Sequence, residues 1–436
     1  MSMKILLVGS GGREHAMARK LVGGSNAVTL FAAPGSDALA ELGTCLPFQG
    51  EDVAGISAWA AEHQPDLVVV GPEAPLVAGL SDALTAMGIP VFGHPKATAE
   101  LEGSKAFAKA FMERHGIPCA ASHTVTSYEA GAALIEAWPH KYPVVLKADG
   151  LAAGKGVVLA GDQAEALATL RAFMDGQFGD ASKTVVLEQA LFGMELSQHV
   201  LVDVTSEHAR FVMLPACQDH KRIFEGDQGP NTGGMGAFGP LPFLRSEDIE
   251  RIRKELVEPT VKGLQKDGLV GRGVLFLGVM YDETGPQLLE YNVRFGDPET
   301  QVLMELLDED LATLLKAVAE QKLDRTEVKL KPGCAITFVL AAEGYPETAK
   351  KGVPITIQDS SLTMIHAGTK KVDGTWTTNG GRVMNLVTVA PDLAAARAKV
   401  LAEADQANWP GRQMRKDIGL RALGHAMAGK TVMDPW

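Results

Sequence analysis

Apolar runs alternate with helix-like stretches through the first hundred residues, and this alternation constrains the fold more than any other feature of the chain. Apolar runs at 4–8, 28–32 and 66–70 are separated by segments of helical periodicity, which include 13–22 and 76–87. Strands that alternate with helices are typical of parallel βαβ units. The sequence therefore predicts an N-terminal α/β domain with a parallel sheet.

The middle and the end of the chain mix strands and helices less regularly. An amphipathic helix is expected over 104–114, with Ser104 as its N-cap and Gly116 as its end. A glycine-rich turn lies between the short apolar runs at 144–147 and 157–160. The last hundred residues, after Pro332-Gly333, carry strands and a helix of their own.

Composition and charge exclude several classes of protein. The chain has 436 residues, enough for two to four domains, and a formal net charge of -12 without a long basic run. Nucleic acid is not expected as the main partner, because such proteins carry a clustered positive surface. No apolar stretch approaches the ~20 residues of a membrane span, and no secretory signal is recognisable. The four cysteines are far apart, as expected of unpaired thiols in a reducing cytoplasm.

A glycine loop follows the first predicted strand, with the sequence G-S-G-G-R-E-H at 9–15. Backbone N–H groups at the start of a helix favour an anion. A dinucleotide site is not expected. Glu14 stands at the third glycine position of the dinucleotide-binding motif G-x-G-x-x-G, and the end of the second strand lacks the acidic residue that would bind the ribose 2′-OH. A simple phosphate site and a tight turn without a ligand both remain open.

A second glycine-rich segment, K-A-D-G-L-A-A-G-K-G-V-V at 147–158, has the pattern of a strand, a turn and a strand. It is not a Walker A loop, because no Ser or Thr follows Lys155 and no helix comes next. Lys147 lies within an apolar strand, where an ammonium group is costly without an anionic partner. The alternative is a hairpin whose lysine reaches solvent. Two lysines around four glycines favour a triphosphate site.

The segment E-Y-N-V-R-F-G-D-P-E at 290–299 begins at the end of an apolar strand. Glu290 and Asn292 project to the same face of a strand, and their oxygens suit a hard cation such as Mg²⁺. Arg294 lies on that face if the strand continues, where it could meet a phosphoryl group or a carboxylate. The alternative is a polar strand end at the surface, but the preceding leucines favour a core strand.

Turn residues crowd the stretch from 218 to 236, which includes Q-D-H-K-R and G-P-N-T-G-G-M-G. This composition predicts a long loop, and long ordered loops that carry charges are usually functional. His220 is more simply interpreted as a structural hydrogen-bonding partner than as a base.

Together these segments resemble the phosphoribosylamine–glycine ligase family of the ATP-grasp superfamily, from Lys4 to about Ala422. A single segment is weak evidence, whereas all of them in this order are specific. The segments are V-G-S-G-G-R-E-H at 8–15, G-P-E-A-P-L at 71–76, L-E-G-S-K-A-F at 101–107, K-A-D-G-L-A-A-G-K-G-V at 147–157, Q-D-H-K-R at 218–222, G-P-N-T-G-G-M-G-A at 229–237, N-V-R-F-G-D-P-E-T-Q at 292–301, H-A-G-T-K at 366–370 and T-N-G-G-R-V at 378–383.

The resemblance implies a multidomain α/β and α+β fold, with an N-terminal parallel α/β domain, an ATP-grasp core of two α+β subdomains and a small C-terminal α/β domain. The implied boundaries are 1–103 for the N-terminal domain, 104–330 for the ATP-grasp region with a mobile lid at about 122–192, and 331–436 for the C-terminal domain.

The implied activity is the ATP-dependent ligation of glycine to 5-phosphoribosylamine by a cytoplasmic monomer. Mg²⁺ is the expected metal, with Mn²⁺ as an alternative. Two other hypotheses remain. One is another ATP-grasp ligase or carboxylase of purine metabolism, and the other is a non-catalytic nucleotide-binding protein, which would not need Glu290, Asn292 and Arg294.

The resemblance also implies roles for single residues. Those expected to contact ATP are Lys105, Lys147, Gly154, Lys155, Gly156, Glu188, Gln189, Ala190, Leu191 and Glu195. Those expected around glycine and phosphoribosylamine are Gly11, Gly12, Arg13, Glu73, Asp219, Thr232, Gly233, Gly234, Arg294, Gly296 and Asp297. Glu290 and Asn292 are expected to hold the metal, and Arg294, Lys155 and Asp219 are expected to act in catalysis. Gln189 departs from the acidic residue that is common in the family at its position.

Overall fold

Helices and strands alternate along the computed structural model, which describes residues 2–150, 156–179, 183–428 and 432. Among these residues, no helix combines the length and the apolar character that a bilayer span requires. The helices are α1 Gly12–Val22, α2 Asp37–Ala40, α3 Val53–His63, α4 Ala74–Val77, α5 Leu80–Ala86, α6 Lys96–Gly103, α7 Lys105–Arg114, α8 Tyr128–Glu136, α9 Gln163–Met174, α10 Ser246–Ile252, α11 Glu258–Lys266, α12 Glu299–Leu306, α13 Leu311–Ala319, α14 Leu393–Ala402 and α15 Leu420–Met427, with a π-helical segment Arg253–Val257 between α10 and α11 and a 3₁₀ turn at Ala404–Gln406. The strands are β1 Met3–Gly9, β2 Val28–Pro34, β3 Thr44–Cys45, β4 Leu67–Val70, β5 Val91–Phe92, β6 Ser122–Val125, β7 Val144–Ala148, β8 Val157–Ala160, β9 Val185–Gln189, β10 Met194–Val204, β11 Ala209–Met213, β12 Gln218–Asp219, β13 Arg222–Phe224, β14 Gln228–Asn231, β15 Gly236–Gly239, β16 Gly271–Asp282, β17 Gly285–Asn292, β18 Cys334–Ala341, β19 Thr356–Ile357, β20 Thr363–His366, β21 Thr369–Val372, β22 Thr375–Thr378, β23 Arg382–Ala390 and β24 Ala407–Asn408.

The N-terminal sheet is parallel and has the strand order β3-β2-β1-β4-β5. Its two central strands are continuous apolar runs, and residues 5–8 and 67–70 are buried on both faces of the sheet. The prediction of a parallel α/β domain is therefore confirmed. The strand order reverses between β1 and β4, and ligand sites of open α/β sheets lie at the carboxyl ends of the strands at such a point.

The predicted helix 76–87 is interrupted in the structure. It forms two helices, α4 and α5, because Gly79 adopts a left-handed conformation with φ of +92°. By contrast, α7 begins as predicted, since the hydroxyl of Ser104 accepts a hydrogen bond from the N–H of Phe107 at 3.0 Å.

A small antiparallel sheet with the order β6-β9-β7-β8 has a core of its own. Helices α8 and α9 pack together, and buried Leu146, Leu170 and Phe173 belong to an apolar cluster that is separate from the rest of the chain's core. A separate core gives this part of the chain the physical basis for moving as a unit. We call it the lid.

A second antiparallel sheet, with the order β11-β10-β16-β17, lies beneath the predicted metal site. The long strands β10 and β16 pair along their whole shared length, and β17 pairs with the other edge of β16. Strand β17 carries Glu290 and Asn292, which are opposite Gly278 and Phe276 of β16. The prediction that Glu290 and Asn292 lie two residues apart on one strand is therefore correct for the backbone.

The third large sheet has the order β12-β15-β18-β23-β20 and joins the middle of the chain to its end. Strand β15 pairs with β18, so strands on both sides of residue 331 belong to one sheet. The stretch 218–236 is also more regular than the predicted loop, because β13 and β14 form a two-stranded hairpin within it. This sheet brings the C-terminal residues to the carboxyl ends of the other strands.

Candidate active site

The carboxylate of Glu14 occupies the inside of the glycine loop after β1. One carboxylate oxygen accepts the N–H of Gly11 at 2.7 Å, and the other accepts Arg13 Nε at 2.6 Å. A Cβ at Gly71 would lie only 2.1 Å from Glu14 Oε1. The carboxylate thus ties the loops after β1 and β4 together, which explains why an acid stands at the position of a fingerprint glycine.

Gly12 and Arg13 face the segment that follows β17. A Cβ at Gly12 would meet the side-chain amides of Asn385 and Gln301, both at 3.1 Å. Arg13 is buried, and its Nη1 donates to the carbonyl of Phe295 at 3.1 Å. The glycine loop therefore lies next to residues 295–301 and to the C-terminal sheet, as a shared substrate pocket requires.

Arg294 connects the N-terminal domain to β17. Its Nε lies 3.3 Å from Glu73, and its Nη2 lies 3.0 Å from Glu102 and 3.1 Å from Asn292 Oδ1. Burial opposes the charge of Arg294, but Glu102 and Glu73 outweigh burial and raise its pKa above its ordinary value. Burial raises the pKa of Glu102 to about 7 although Arg294 acts to lower it.

The charges of the partly buried Asp219 and the buried Glu299 interact in the cleft. Burial, and then the charge of Glu299, raises the pKa of Asp219 well above its ordinary value. Burial also raises the pKa of Glu299, whose Oε1 accepts the hydroxyl of Ser197 at 2.8 Å. Two glycines make room for them, since a Cβ at Gly234 would lie 2.5 Å from Asp219 Oδ1 and one at Gly296 would lie 2.4 Å from Glu299 Oε2.

Three lysines surround Glu290. Burial opposes the charge of this carboxylate, but Lys221, Lys147 and Lys105 lower its pKa, so it stays ionised. Lys147 reaches from the lid to the carbonyl of Leu289, 3.3 Å from its Nζ. The lid and β17 therefore share one cleft.

The side of this cleft that faces the lid is held by ion pairs and hydrogen bonds. Lys147 Nζ lies 2.8 Å from Glu188, and Lys105 Nζ donates to the carbonyl of Gly150 at 2.9 Å. Lys221 pairs with Glu195. Although desolvation opposes its charge, Glu195 and Glu290 raise the pKa of Lys221.

The chain crosses from the lid to the second sheet just after β9. The N–H of Gln189, the last residue of β9, donates to the carbonyl of Ala121 at 3.0 Å. Ala190 is buried, and Leu191 is partly buried. The carbonyl of Gly156 accepts the N–H of Ala148 at 2.8 Å. The expected ATP contacts Gly154 and Lys155 lie outside the described residues.

The segment 232–234 is held by the C-terminal domain. The N–H of Gly233 donates to the hydroxyl of Tyr345 at 3.1 Å, and its carbonyl accepts Arg382 Nη1 at 2.6 Å. Arg382 also lies 3.2 Å from the carboxylate of Asp297. On the other side, the hydroxyl of Thr232 donates to the carbonyl of Lys221 at 2.8 Å. We call the contacts of Tyr345 and Arg382 with Gly233 the Gly233 clamp.

Glu290 and Asn292 have the donor chemistry of a magnesium site. Glu290 is ionised, and Asn292 presents an amide oxygen that Arg294 already orients. Asn292 Nδ2 is buried without a hydrogen-bond partner among the described residues, so the amide is held only through its oxygen. The same part of the chain holds no group of three or more His, Cys, Asp or Glu side chains suited to a metal. Two protein ligands with phosphate oxygens is the usual arrangement for Mg²⁺.

The sequence resemblance assigned no role to four residues that lie in the cleft. They are Glu102, Lys221, Glu299 and Arg382. Each lies within a segment that carried the family resemblance, so the signal was present. Their roles depend on contacts between distant segments, which a local pattern does not contain.

Comparison with known proteins assigns these segments to one family. Models of the phosphoribosylglycinamide synthetase N domain, ATP-grasp (A) domain and C domain match residues 3–102, 103–300 and 335–421. The chain belongs to the phosphoribosylamine–glycine ligase family. A relative with that name from Agrobacterium fabrum is 45% identical over 429 residues, which are 98% of this chain and 100% of the relative. Another, from Vibrio parahaemolyticus, is 42% identical over 434 residues, 97% of this chain and 99% of the relative.

Solved structures agree with the family and the fold. The crystal structure of the phosphoribosylamine–glycine ligase of Thermotoga maritima has a TM-score of 0.84 and 33% identity, and covers 95% of this chain and 100% of its own. Biotin carboxylase of Campylobacter jejuni has a TM-score of 0.73 at 17% identity over 97% of this chain and 95% of its own, which supports the ATP-grasp fold alone. The chain is thus a ligase with an ATP-grasp domain, as the sequence resemblance predicts.

Proposed function

We propose that this ligase joins glycine to 5-phosphoribosylamine in de novo purine biosynthesis, and that it converts ATP to ADP and phosphate and yields glycinamide ribonucleotide. The observation that carries the proposal is the cleft between the lid and β17. There Lys147 Nζ lies 3.3 Å from the carbonyl of Leu289 and Arg294 Nη2 lies 3.1 Å from Asn292 Oδ1, and Lys221, Lys147 and Lys105 lower the pKa of Glu290. Such a cluster gathers a triphosphate against a carboxylate substrate, which is the arrangement that acyl phosphate chemistry needs.

ATP is proposed to lie between the lid and β17. Lys105 and Lys147 would contact its phosphates, and Glu195 would accept the ribose hydroxyls after release from Lys221. The backbone of 188–191 would meet adenine, with Glu188, Gln189, Ala190 and Leu191 as the contributing residues. Gly154, Lys155 and Gly156 would contact the phosphates. A lid that excludes water protects the acyl phosphate from hydrolysis.

Magnesium is proposed to bind Glu290 and Asn292, and Mn²⁺ can use the same oxygen ligands. The metal supplies charge neutralisation for the phosphates. Arg294 assists by orienting Asn292 Oδ1, from which its Nη2 lies 3.1 Å. Glu102 and Glu73 hold the guanidinium group of Arg294 in place beside Asn292.

Glycine is proposed to bind with its ammonium group at Asp219 and Glu299. Burial raises the pKa values of both carboxyl groups, and the charge of Glu299 adds to the shift at Asp219, so a positive charge beside them would be favourable. An ammonium group supplies that charge. Gly234 and Gly296 lie directly against the two carboxyl groups, so the backbone lines this part of the cleft.

The reaction follows in two displacements. A carboxylate oxygen of glycine attacks the γ-phosphorus, the bond from that phosphorus to the β,γ-bridging oxygen breaks, and ADP leaves with the bonding electrons. The uncharged amine of phosphoribosylamine then attacks the carbonyl carbon of glycyl phosphate. The bond from carbon to the phosphate oxygen breaks, and the departing phosphate takes the proton that nitrogen loses. Lys155 and Arg294 would neutralise charge in the first step.

Phosphoribosylamine is proposed to lie between the glycine loop and the segment 295–301. Gly11, Gly12 and Arg13 would hold its phosphate, while Glu73 and Asp297 would accept ribose hydroxyls. The loop is at the point where the strand order of the N-terminal sheet reverses, and the start of α1 supplies N–H groups. Thr232 and Gly233 would border glycine and the transferred phosphoryl group.

The ligase is further proposed to act as a cytoplasmic monomer. All the proposed contacts come from one chain, so a partner subunit is not needed to complete the site. The cytoplasm supplies ATP and glycine, and the free cysteines Cys45, Cys119, Cys217 and Cys334 suit a reducing compartment.

The test is ADP formation with each substrate omitted in turn. We expect ADP release only when ATP, glycine and phosphoribosylamine are all present, and glycinamide ribonucleotide in equal amount. ADP release that needs another carboxylate or bicarbonate, and not glycine, would establish a different ATP-grasp ligase or carboxylase instead. ATP binding without any turnover would favour a nucleotide-binding protein.

A further inference from the structure

Three buried charged side chains meet at the base of the nucleotide cleft. Glu188 lies on β9 of the lid sheet, Lys147 lies on β7 and Lys109 lies on α7, the helix that leads from the N-terminal domain towards the lid. Their exposed fractions are 2%, 7% and 4%. We call them the buried charge triad. Burial of this kind strengthens every charge interaction within the triad.

The two lysines bind different oxygens of Glu188. Lys147 Nζ lies 2.8 Å from Oε2, and Lys109 Nζ lies 3.4 Å from Oε1. Lys147 also contacts the carbonyl of Leu289, next to Glu290, whereas Lys109 contacts the carbonyl of Ala120 at 3.4 Å. Lys147 therefore lies on the side of Glu188 that faces the metal-binding strand, and Lys109 binds the other oxygen.

The triad carries one positive charge in excess. If Lys109 were neutral, the whole charge of Glu188 would fall on Lys147, and the pair would be electrically balanced before any nucleotide arrives. A phosphate would then have to compete with a buried carboxylate for Lys147. With Lys109 present, Glu188 is shared and Lys147 keeps attraction for an anion.

We propose that Lys109 is a positioning residue for nucleotide binding, which shares the charge of Glu188 so that Lys147 remains available to the phosphates of ATP. The inference rests on the proposed function, because that function assigns Lys147 to ATP. It adds a residue on α7 that does not reach the phosphates itself and that acts through Glu188.

The experiment is a double-mutant cycle on the full chain. Binding of a non-hydrolysable ATP analogue with Mg²⁺ is titrated calorimetrically for the wild type, Lys109→Met, Glu188→Gln and the double variant. We expect Lys109→Met to weaken binding about tenfold or more in the wild-type background. In the Glu188→Gln background, the same substitution is expected to change binding less than about twofold, because the carboxylate that required sharing is gone.

Steady-state kinetics separate this role from a merely structural one. Lys109→Met should raise the KM for ATP and leave the KM for glycine unchanged, and Lys109→Arg should restore most of the affinity. Lys262→Met is the control, since Lys262 is exposed on α11 and pairs with Glu258 on its own helix. If Lys109→Met does not fold, Lys109→Gln replaces it, because its amide still reaches a carbonyl acceptor.

An equal loss of affinity in both backgrounds would overturn the inference, since it would mean that Lys109 acts without Glu188. Unchanged affinity in Lys109→Met would overturn it as well. Failure of the proposed function has a different signature, which is the absence of glycine-dependent ADP release by the wild type, whatever its affinity for the analogue.

Discussion

The guanidinium group of Arg294 lies 3.0 Å from the carboxylate of Glu102, and this contact joins the strand that carries the proposed metal ligands to the last turn of α6. Glu102 also accepts the N–H of Val293 at 2.7 Å. One carboxylate thus holds both the side chain of Arg294 and the backbone just before it. The end of β17 is therefore fixed by the N-terminal domain.

The removal of Glu290 tests the metal assignment. We expect Glu290→Ala to lower the ligation rate by roughly 100-fold or more, because Asn292 alone would be a poor magnesium ligand. The variant should stay folded, since Glu290 is only partly buried and the neighbouring Lys147 and Lys221 keep their ion pairs with Glu188 and Glu195. Gln287→Ala, on the same strand, is the matched control. Normal activity of Glu290→Ala would remove Glu290 from the metal site.

The raised pKa of Glu102 predicts that the protein loses stability as pH rises. Its pKa is raised to about 7 in the folded protein and is about 4.5 when unfolded. Between these values the folded state binds more protons, so the free energy of unfolding decreases with increasing pH, by at most about 3 kcal/mol. Chemical denaturation at pH 5 and pH 7.5, without metal or nucleotide, measures this change. In Glu102→Gln the change should be smaller, and an equal change in both proteins would contradict the assignment.

The lowered pKa of His15 predicts that acid weakens the contact between the N-terminal and C-terminal domains. Its Nδ1 accepts the N–H of His366 at 2.8 Å, and burial, followed by the charge of His366, lowers the pKa of His15 to about 3. Unfolded His15 takes up a proton near pH 6.5, whereas folded His15 does not. Stability should therefore fall as pH decreases from 6.5 to 4, by up to about 3 kcal/mol.

His15→Gln keeps an acceptor for the same N–H and cannot be protonated in this range. Its unfolding free energy should depend less on pH between 6.5 and 4 than that of the wild type. Parallel pH dependence of the two proteins would show that His15 is protonated in the folded state.

The Gly233 clamp predicts that the C-terminal domain acts on a substrate site. Arg382→Met removes the contacts with Gly233 and Asp297, so we expect the KM for glycine to rise roughly tenfold while the KM for ATP changes little. Tyr345→Phe should have a smaller effect in the same direction, because it removes one neutral hydrogen bond. Initial-rate kinetics with each substrate varied would measure both.

Lys350→Met is the control for the clamp, since Lys350 is an exposed residue of the same domain and pairs with the exposed Glu343. A rise in the KM for ATP equal to that for glycine would indicate a general disturbance of the cleft rather than the loss of a positioned segment.

Local patterns were sufficient for several elements. The apolar run Leu67–Val70 could be recognised as a buried strand, and the alternation at 288–292 put Glu290 and Asn292 on one strand face, because side chains repeat every two residues. Ser104 was recognisable as a helix cap because a serine hydroxyl can accept a backbone N–H of the first helical turn. The break at Gly79 was missed, since a glycine inside a helical pattern is compatible with both a continuous and a divided helix.

The strand periodicities, the glycine-rich turns and the order of the family segments were present in the amino-acid sequence, and they define the architecture and the reaction class of this ligase. Tertiary structure alone decided which charges meet. Glu73 and Arg294 are 221 residues apart in the chain, and Gly233 and Arg382 are 149 apart. Ion pairs in a cleft depend on distance and burial, and neither quantity is encoded in the spacing of residues along one segment.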